Sequence, residues 1–131
     1  GALGIEALSR GGNWVDFVER DAKACALIRQ NLATAGFSDR ARVYRLSSRK
    51  ALSLLSERYD IILLDPPYLG DEVDKVMGDL GESPLVGEST LVVAEHSSRR
   101  ELAHRYGRLG ILKTRRHGDT SLSIFRQEDL S

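Results

Sequence analysis

The stretch YDIILLDPPYLGDEVDK (Tyr59–Lys75) decides how the rest of the chain is read. Four apolar residues, Ile61 to Leu64, run without alternation into Asp65, two prolines and Tyr68. An unbroken apolar run of this length predicts a parallel strand covered on both faces. Ligands of open parallel sheets bind beyond the carboxyl ends of the strands. Asp65-Pro66-Pro67-Tyr68 therefore falls where such a sheet would hold a ligand. Proline fixes φ and carries no N–H, so the Asp65 carboxylate and the Pro66 carbonyl form a preorganised pair of acceptors. The exocyclic amine of a nucleobase is a poor nucleophile because its lone pair is delocalised into the ring. Accepting hydrogen bonds from its two hydrogens orients it and concentrates electron density on nitrogen. Tyr68 adds a flat face for an extruded base, and base–aromatic stacking is worth about 1–3 kcal/mol.

Working outward, WVDFVE (Trp14–Glu19), RVYRL (Arg42–Leu46) and STLVVAEH (Ser89–His96) read as further strands. Asp21 is placed to cap a helix that places Cys25, Ile28 and Leu32 on one face and stops at Gly36. Arg49–Arg58 reads as a shorter helix. The tail gives two strands, RLGILKT and TSLSIF, joined by a polar RRHGD turn. Alternating strands and helices followed by a hairpin predict an α/β fold, Rossmann-like and mostly parallel, with a C-terminal antiparallel hairpin. No linker or repeat interrupts the 131 residues, so one domain over 1–131 is expected. GALGIEALSRGG opens on a glycine-rich turn and a short helix with no strand before it, which implies that the first strand is missing and the domain is N-terminally incomplete.

Three groups then fall at expected strand ends: the Gly1–Gly4 turn, whose glycines let a cofactor approach the backbone; Glu19, an acceptor for ribose hydroxyls; and the Asp65 motif. Trp14 is expected to pack near the start of its strand, His104 to sit on a surface helix, and His96 to end a strand beside the pocket. The 41% hydrophobic and 29% charged content is that of a globular protein, with no membrane span. A single cysteine, Cys25, leaves no intrachain disulfide and suits a reducing cytoplasm. No HExxH or Cys/His cluster is present, so no metal is expected. Net charge is zero but segregated: residues 57–95 carry ten acids against two bases, and 96–126 carry eight bases against two acids. Such asymmetry accommodates an anionic partner on one side.

LLDPPY resembles the signature of S-adenosylmethionine-dependent amino-methyltransferases. Together with GALGIEALSRG, VERD (Val18–Asp21), NLATAG, AEHS (Ala94–Ser97) and KTRRHGDTSLSIF (Lys113–Phe125), taken in order, the chain resembles the bacterial 16S ribosomal RNA guanine-N2 methyltransferases, the small-subunit methyltransferase D family. The resemblance implies that S-adenosylmethionine is held by Gly1, Ala2, Gly4, Glu19, Ser47, Ser48 and Asp65. It implies that Asp65, Pro66 and Tyr68 act on the target amine, with Pro67, Tyr68, Arg116, His117, Gly118 and Thr120 on the substrate side. The partner it implies is 16S ribosomal RNA, naked or in an assembled small-subunit particle. The same motif serves adenine-N6 methyltransferases of DNA and other amino-methyltransferases, and a noncatalytic, truncated RNA-binding relic is the reading from a different class.

Overall fold

The computed structural model describes residues 2–55, 59–64 and 72–128, with backbone alone for Ala2, Leu3, Ala7, Ser48 and Glu72. The chain divides into two compact units, Gly1–Ala51 and Leu52–Ser131.

The first unit is a strand–helix–strand arrangement behind a short helix. Helix α1 (Ala2–Ser9) leads to β1 (Val15–Glu19), α2 (Ala22–Ala35), a single 3-10 turn (Ser38–Arg40) and β2 (Ala41–Arg45). Strands β1 and β2 pair in parallel, Val15 opposite Ala41 and Glu19 opposite Arg45. Helix α2 starts where Asp21 accepts the Ala24 amide and ends at Gly36 in the left-handed conformation, as the sequence predicts. Its buried face, Cys25, Ile28 and Leu32, is the predicted one. Leu8, Phe17, Ile28 and Leu32 form the core of this unit, with Ile5, Val15 and Val43 packed against them. The expected turn over Gly1–Gly4 is corrected: the chain is helical from Ala2. Gly4 is there for packing. A Cβ at this position would lie 2.5 Å from the Phe17 ring, so only glycine lets α1 close onto β1.

Helix α3 (Ser48–Leu54) spans the division between the units. The second unit contains β3 (Tyr59–Leu64), α4 (Glu72–Gly81), β4 (Val86–Ser97), β5 (Arg105–Tyr106), β6 (Leu109–His117) and β7 (Thr120–Gln127). Its sheet has the order β3-β4-β7-β6-β5. Strand β3 pairs with β4 in parallel, and the other three pairings are antiparallel. One face carries Leu64, Val92, Ala94 and Phe125 into a core completed by Val73, Met77 and Leu80 of α4. The opposite face of β3 is more open than its unbroken apolar run suggests, with Ile61 53% exposed.

Helix α4 was not foreseen from the sequence. Val73, Met77 and Leu80 recur at i, i+4 and i+7, and all three are buried, so an amphipathic pattern was present. The region 101–104, by contrast, is not helical, which corrects the expectation for His104. The hairpin turn is also shorter than RRHGD. Ladder pairing continues through Arg116–Ser121 and His117–Thr120, leaving only Gly118 and Asp119 to turn the chain. Gly118 has φ +62° while Asp119 does not have a positive φ, the pattern of a II′ turn.

Candidate active site

Asp65, Pro66, Pro67 and Tyr68, and Gly1, lie outside the described residues. What is described is the framework on either side of the motif. Strand β3 ends at Leu64, which is buried and in register with Ala94 of β4. The motif directly follows that strand end, as the sequence predicts. Helix α4 begins at Glu72 and buries Val73 within its first turn.

Asp74, one residue further, ties α4 to the segment after β4. Its carboxylate accepts from the Arg100 guanidinium and, at 2.6 Å, from the Tyr106 hydroxyl. The Tyr106 oxygen in turn accepts the Ala103 amide at 3.0 Å, and its ring meets Phe125 edge-on at 5.7 Å. The Tyr106 hydrogen bond, helped by Arg100, holds the Asp74 carboxyl below the usual carboxylate range against the opposing effect of burial. Burial, with the Asp74 hydrogen bond, pushes the Tyr106 phenol up to about 12. Asp74 lies in α4 and Tyr106 in β5, two elements without a clear signal in the sequence, so the clamp is not legible there.

Glu19 closes β1 and is half-buried. Its backbone carbonyl accepts from the Leu46 amide at 3.1 Å and from the Cys25 thiol at 3.3 Å. Its carboxylate has no hydrogen bond or ion pair among the described residues. An acceptor left open at the carboxyl end of a parallel strand suits a ribose diol, and so fits a nucleoside-bearing cofactor.

Two of the other expected cofactor residues, Ser47 and Gly4, are already engaged in folding. Ser47 precedes α3, and its hydroxyl oxygen accepts the Lys50 amide at 3.2 Å as a helix cap. Ser48 is the first residue of α3, and only its backbone is described. Ala2 opens α1, and Gly4 accommodates Phe17.

His96, expected beside the pocket, has both ring nitrogens occupied. Nδ1 lies 2.9 Å from the Arg100 carbonyl and 3.0 Å from that of Ser97. Carbonyls only accept, so Nδ1 carries hydrogen. Nε2 lies 2.7 Å from the hydroxyl of Ser123, which is 3.0 Å from that of Thr114. With neutral imidazole, Thr114 donates to Ser123 and Ser123 to Nε2, so a partly buried polar chain is satisfied across three strands. The ring is a structural brace. Trp14 is corrected too: it is 51% exposed, with Nε1–H donating to Asp16 at 2.7 Å.

At the tail, Arg116 and His117 are exposed, and Arg116 Nε donates to the Gly118 carbonyl at 3.0 Å across the turn. Thr120 opens β7 opposite both His117 and Ser97. The turn therefore brings Arg116, His117, Gly118 and Thr120 together as a group. No cluster of three or more metal-binding side chains occurs among the described residues. No helix in the described residues is long and apolar enough to cross a membrane.

Three curated relatives are similar to this chain in sequence. "Putative rRNA methyltransferase YlbH" of Bacillus subtilis is 35% identical over 130 residues, covering 97% of this chain and 71% of that protein. "Ribosomal RNA small subunit methyltransferase D" of Haemophilus influenzae is 31% identical over 98 residues, covering 72% of this chain and 51% of its own length. A "tRNA1(Val) (adenine(37)-N6)-methyltransferase" of Parabacteroides distasonis is 25% identical over all of this chain and 55% of its own length. The chain thus spans about half of the last two. Among solved structures, a conserved hypothetical protein of Streptococcus pyogenes superposes with a TM-score of 0.89 at 30% identity, over 98% of this chain and 80% of that one. A Haemophilus influenzae protein described as a "putative methylase" gives 0.82 at 26% identity, over 98% and 81%. The α/β fold is accordingly that of the methyltransferases. The family described as "Conserved hypothetical protein 95" matches residues 1–126, and this chain belongs to it.

Proposed function

We propose that the protein transfers a methyl group from S-adenosylmethionine to the exocyclic N2 amine of a guanine in 16S ribosomal RNA. The observation that carries the reading is the position of the motif. Strand β3 ends on buried Leu64, and Asp65-Pro66-Pro67-Tyr68 follows immediately in a chain whose relatives bear the names of ribosomal RNA methyltransferases.

When bound, S-adenosylmethionine supplies an electrophilic methyl group on a sulfonium centre. Glu19, with Gly1, Ala2 and Ser48, would hold that cofactor. Asp65 and the Pro66 carbonyl would accept the two amine hydrogens of the target base and fix the direction of its nitrogen lone pair. Tyr68, beside Pro67, would stack on the base. Catalysis of this kind is orientation plus preorganised electrostatics. It calls for no metal and no covalent enzyme intermediate. Arg116 and His117, with Gly118 and Thr120 shaping the turn, would support the substrate side, within one methyltransferase domain of a cytoplasmic protein.

The test is labelled methyl transfer to unmodified 16S ribosomal RNA, naked and assembled with small-subunit proteins, followed by mapping of the modified nucleotide. Label on guanine N2 supports the reading. A specific observation favours a second one: the adenine-N6 relative aligns over the whole chain. Label on an adenine N6 would select it. Calorimetry with S-adenosylmethionine separates both from a noncatalytic relic, which gives no saturable heat.

A further inference from the structure

Strand β6 changes character in its middle. Leu109 and Gly110 are buried and Ile111 is half-buried, whereas every residue from Leu112 to His117 is exposed. The register shifts between Ile111 and Lys113, so Leu112 is an extra residue, 54% exposed. Strand β5 covers the outer edge of β6 only at Leu109 and Gly110, with one further bond from the Ile111 amide to the His104 carbonyl. Beyond Ile111, no strand among the described residues pairs with that edge.

The bulge also sorts the cations. Residues directly opposite in a ladder project from the same face. Thr114 and Arg116 lie opposite Ser123 and Ser121, on the side of buried Phe125. Lys113, Arg115 and His117 lie opposite Ile124, Leu122 and Thr120, on the other side. Arg116 is held by the Gly118 carbonyl. Lys113 and Arg115 form no ion pair with a described residue. Same-face residues of a strand recur about every 6.8 Å, two rises of ~3.4 Å. That step is similar to the interval between successive phosphates of an extended single strand.

We propose that the exposed half of β6 is a docking edge for the phosphates of single-stranded RNA, with Lys113 and Arg115 as its phosphate-contacting side chains. This rests on the reading above that the substrate is RNA, and it adds two residues and a strand edge to that reading. Charge decides the partner, because the exposed half of β6, residues 112–117, carries Lys113, Arg115 and Arg116 and no acid. Cations on a free edge also deter edge-to-edge association, and that role alone would leave RNA affinity indifferent to them.

The experiment is fluorescence anisotropy with a labelled single-stranded RNA between 50 and 200 mM salt, comparing the chain with its Lys113→Ala/Arg115→Ala double variant. Circular dichroism checks that both are folded. Each cation that contacts a phosphate of a single strand contributes about 0.7 to the salt slope, so the double variant should lose roughly 1.4. Between 50 and 200 mM salt the parent should therefore lose about sevenfold more affinity than the double variant. Removing two exposed cations of the first unit, Arg20→Ala/Lys23→Ala, should leave the slope unaltered. An unchanged slope in the first variant, or an equal loss in the second, overturns the inference whether or not methyl transfer is observed. Edge-dependent RNA binding without methyl transfer supports it and removes only the catalytic reading.

Discussion

Glu19 and His96 occupy comparable positions in the two units, each near the carboxyl end of a strand that pairs in parallel. They differ in what remains open. Glu19 is half-buried, and its carboxylate has no partner among the described residues. The His96 ring is bonded at both nitrogens, to the Ser97 and Arg100 carbonyls and to the Ser123 hydroxyl. Position at a strand end makes a residue a candidate for ligand binding, and unsatisfied hydrogen-bonding capacity separates the ligand group from the brace. The same distinction divides the expected cofactor residues. Ser47 is committed to a helix cap and Gly4 to a helix–strand contact.

The largest effect that sharpens this contrast is expected at Gly4. Gly4→Val drives side-chain atoms into the Phe17 ring and should destabilise the chain by about 3 kcal/mol, the upper range for overpacking. Thermal unfolding measures it, and a stable variant that merely loses cofactor would reverse the assignment. His96→Leu should cost about 1–3 kcal/mol, because Ser123 and the Arg100 carbonyl lose their partner. Its calorimetric affinity for S-adenosylmethionine should stay near that of the parent, and a selective loss of affinity would make His96 a ligand residue after all. Glu19→Ala should behave in the opposite way, with unfolding little changed and cofactor affinity reduced by roughly 10- to 100-fold, the worth of hydrogen bonds to a charged acceptor.

The smallest effect concerns the clamp on α4, where partial exposure screens the charges. The Asp74 pKa is lowered in the folded chain, so its contribution to stability is present above the unfolded value near 3.8 and is lost as pH falls through the lower folded one. The Tyr106 pKa is raised, so its contribution is complete below the unfolded value of 10.0 and disappears as pH climbs to about 12. Denaturant unfolding against pH should therefore show an acid limb and an alkaline limb. Tyr106→Phe should flatten the alkaline limb, and an undiminished one would place the titration elsewhere.

Much of the architecture was legible because local signals agreed with tertiary packing. Asp21 and Gly36 bound α2 as their chemistry dictates, and Cys25, Ile28 and Leu32 pack inward. The misses have distinct physical causes. Helix α4 begins five residues after Pro67, and its Val73–Met77–Leu80 stripe is interrupted by acids and by Gly78, which hid a regular amphipathic period. The RRHGD turn shrank to two residues because ladder pairing satisfies the backbone of Arg116 and His117 better than an open polar loop would. Trp14 lies just before β1, its indole N–H donating to Asp16 two residues on while the ring stays at the surface. Of the site, sequence alone indicated Glu19 and the strand-end motif. It could not distinguish the bonded His96 from the open Glu19, because that difference depends on Ser123, a residue 27 positions away.

The most direct measurement is single-turnover methyl transfer by Asp65→Ala to unmodified 16S ribosomal RNA, run beside calorimetry with S-adenosylmethionine. The rate should fall by about 10²–10³ or more, with cofactor affinity nearly unchanged, since the carboxylate acts on the amine. Turnover at the parental rate would contradict it.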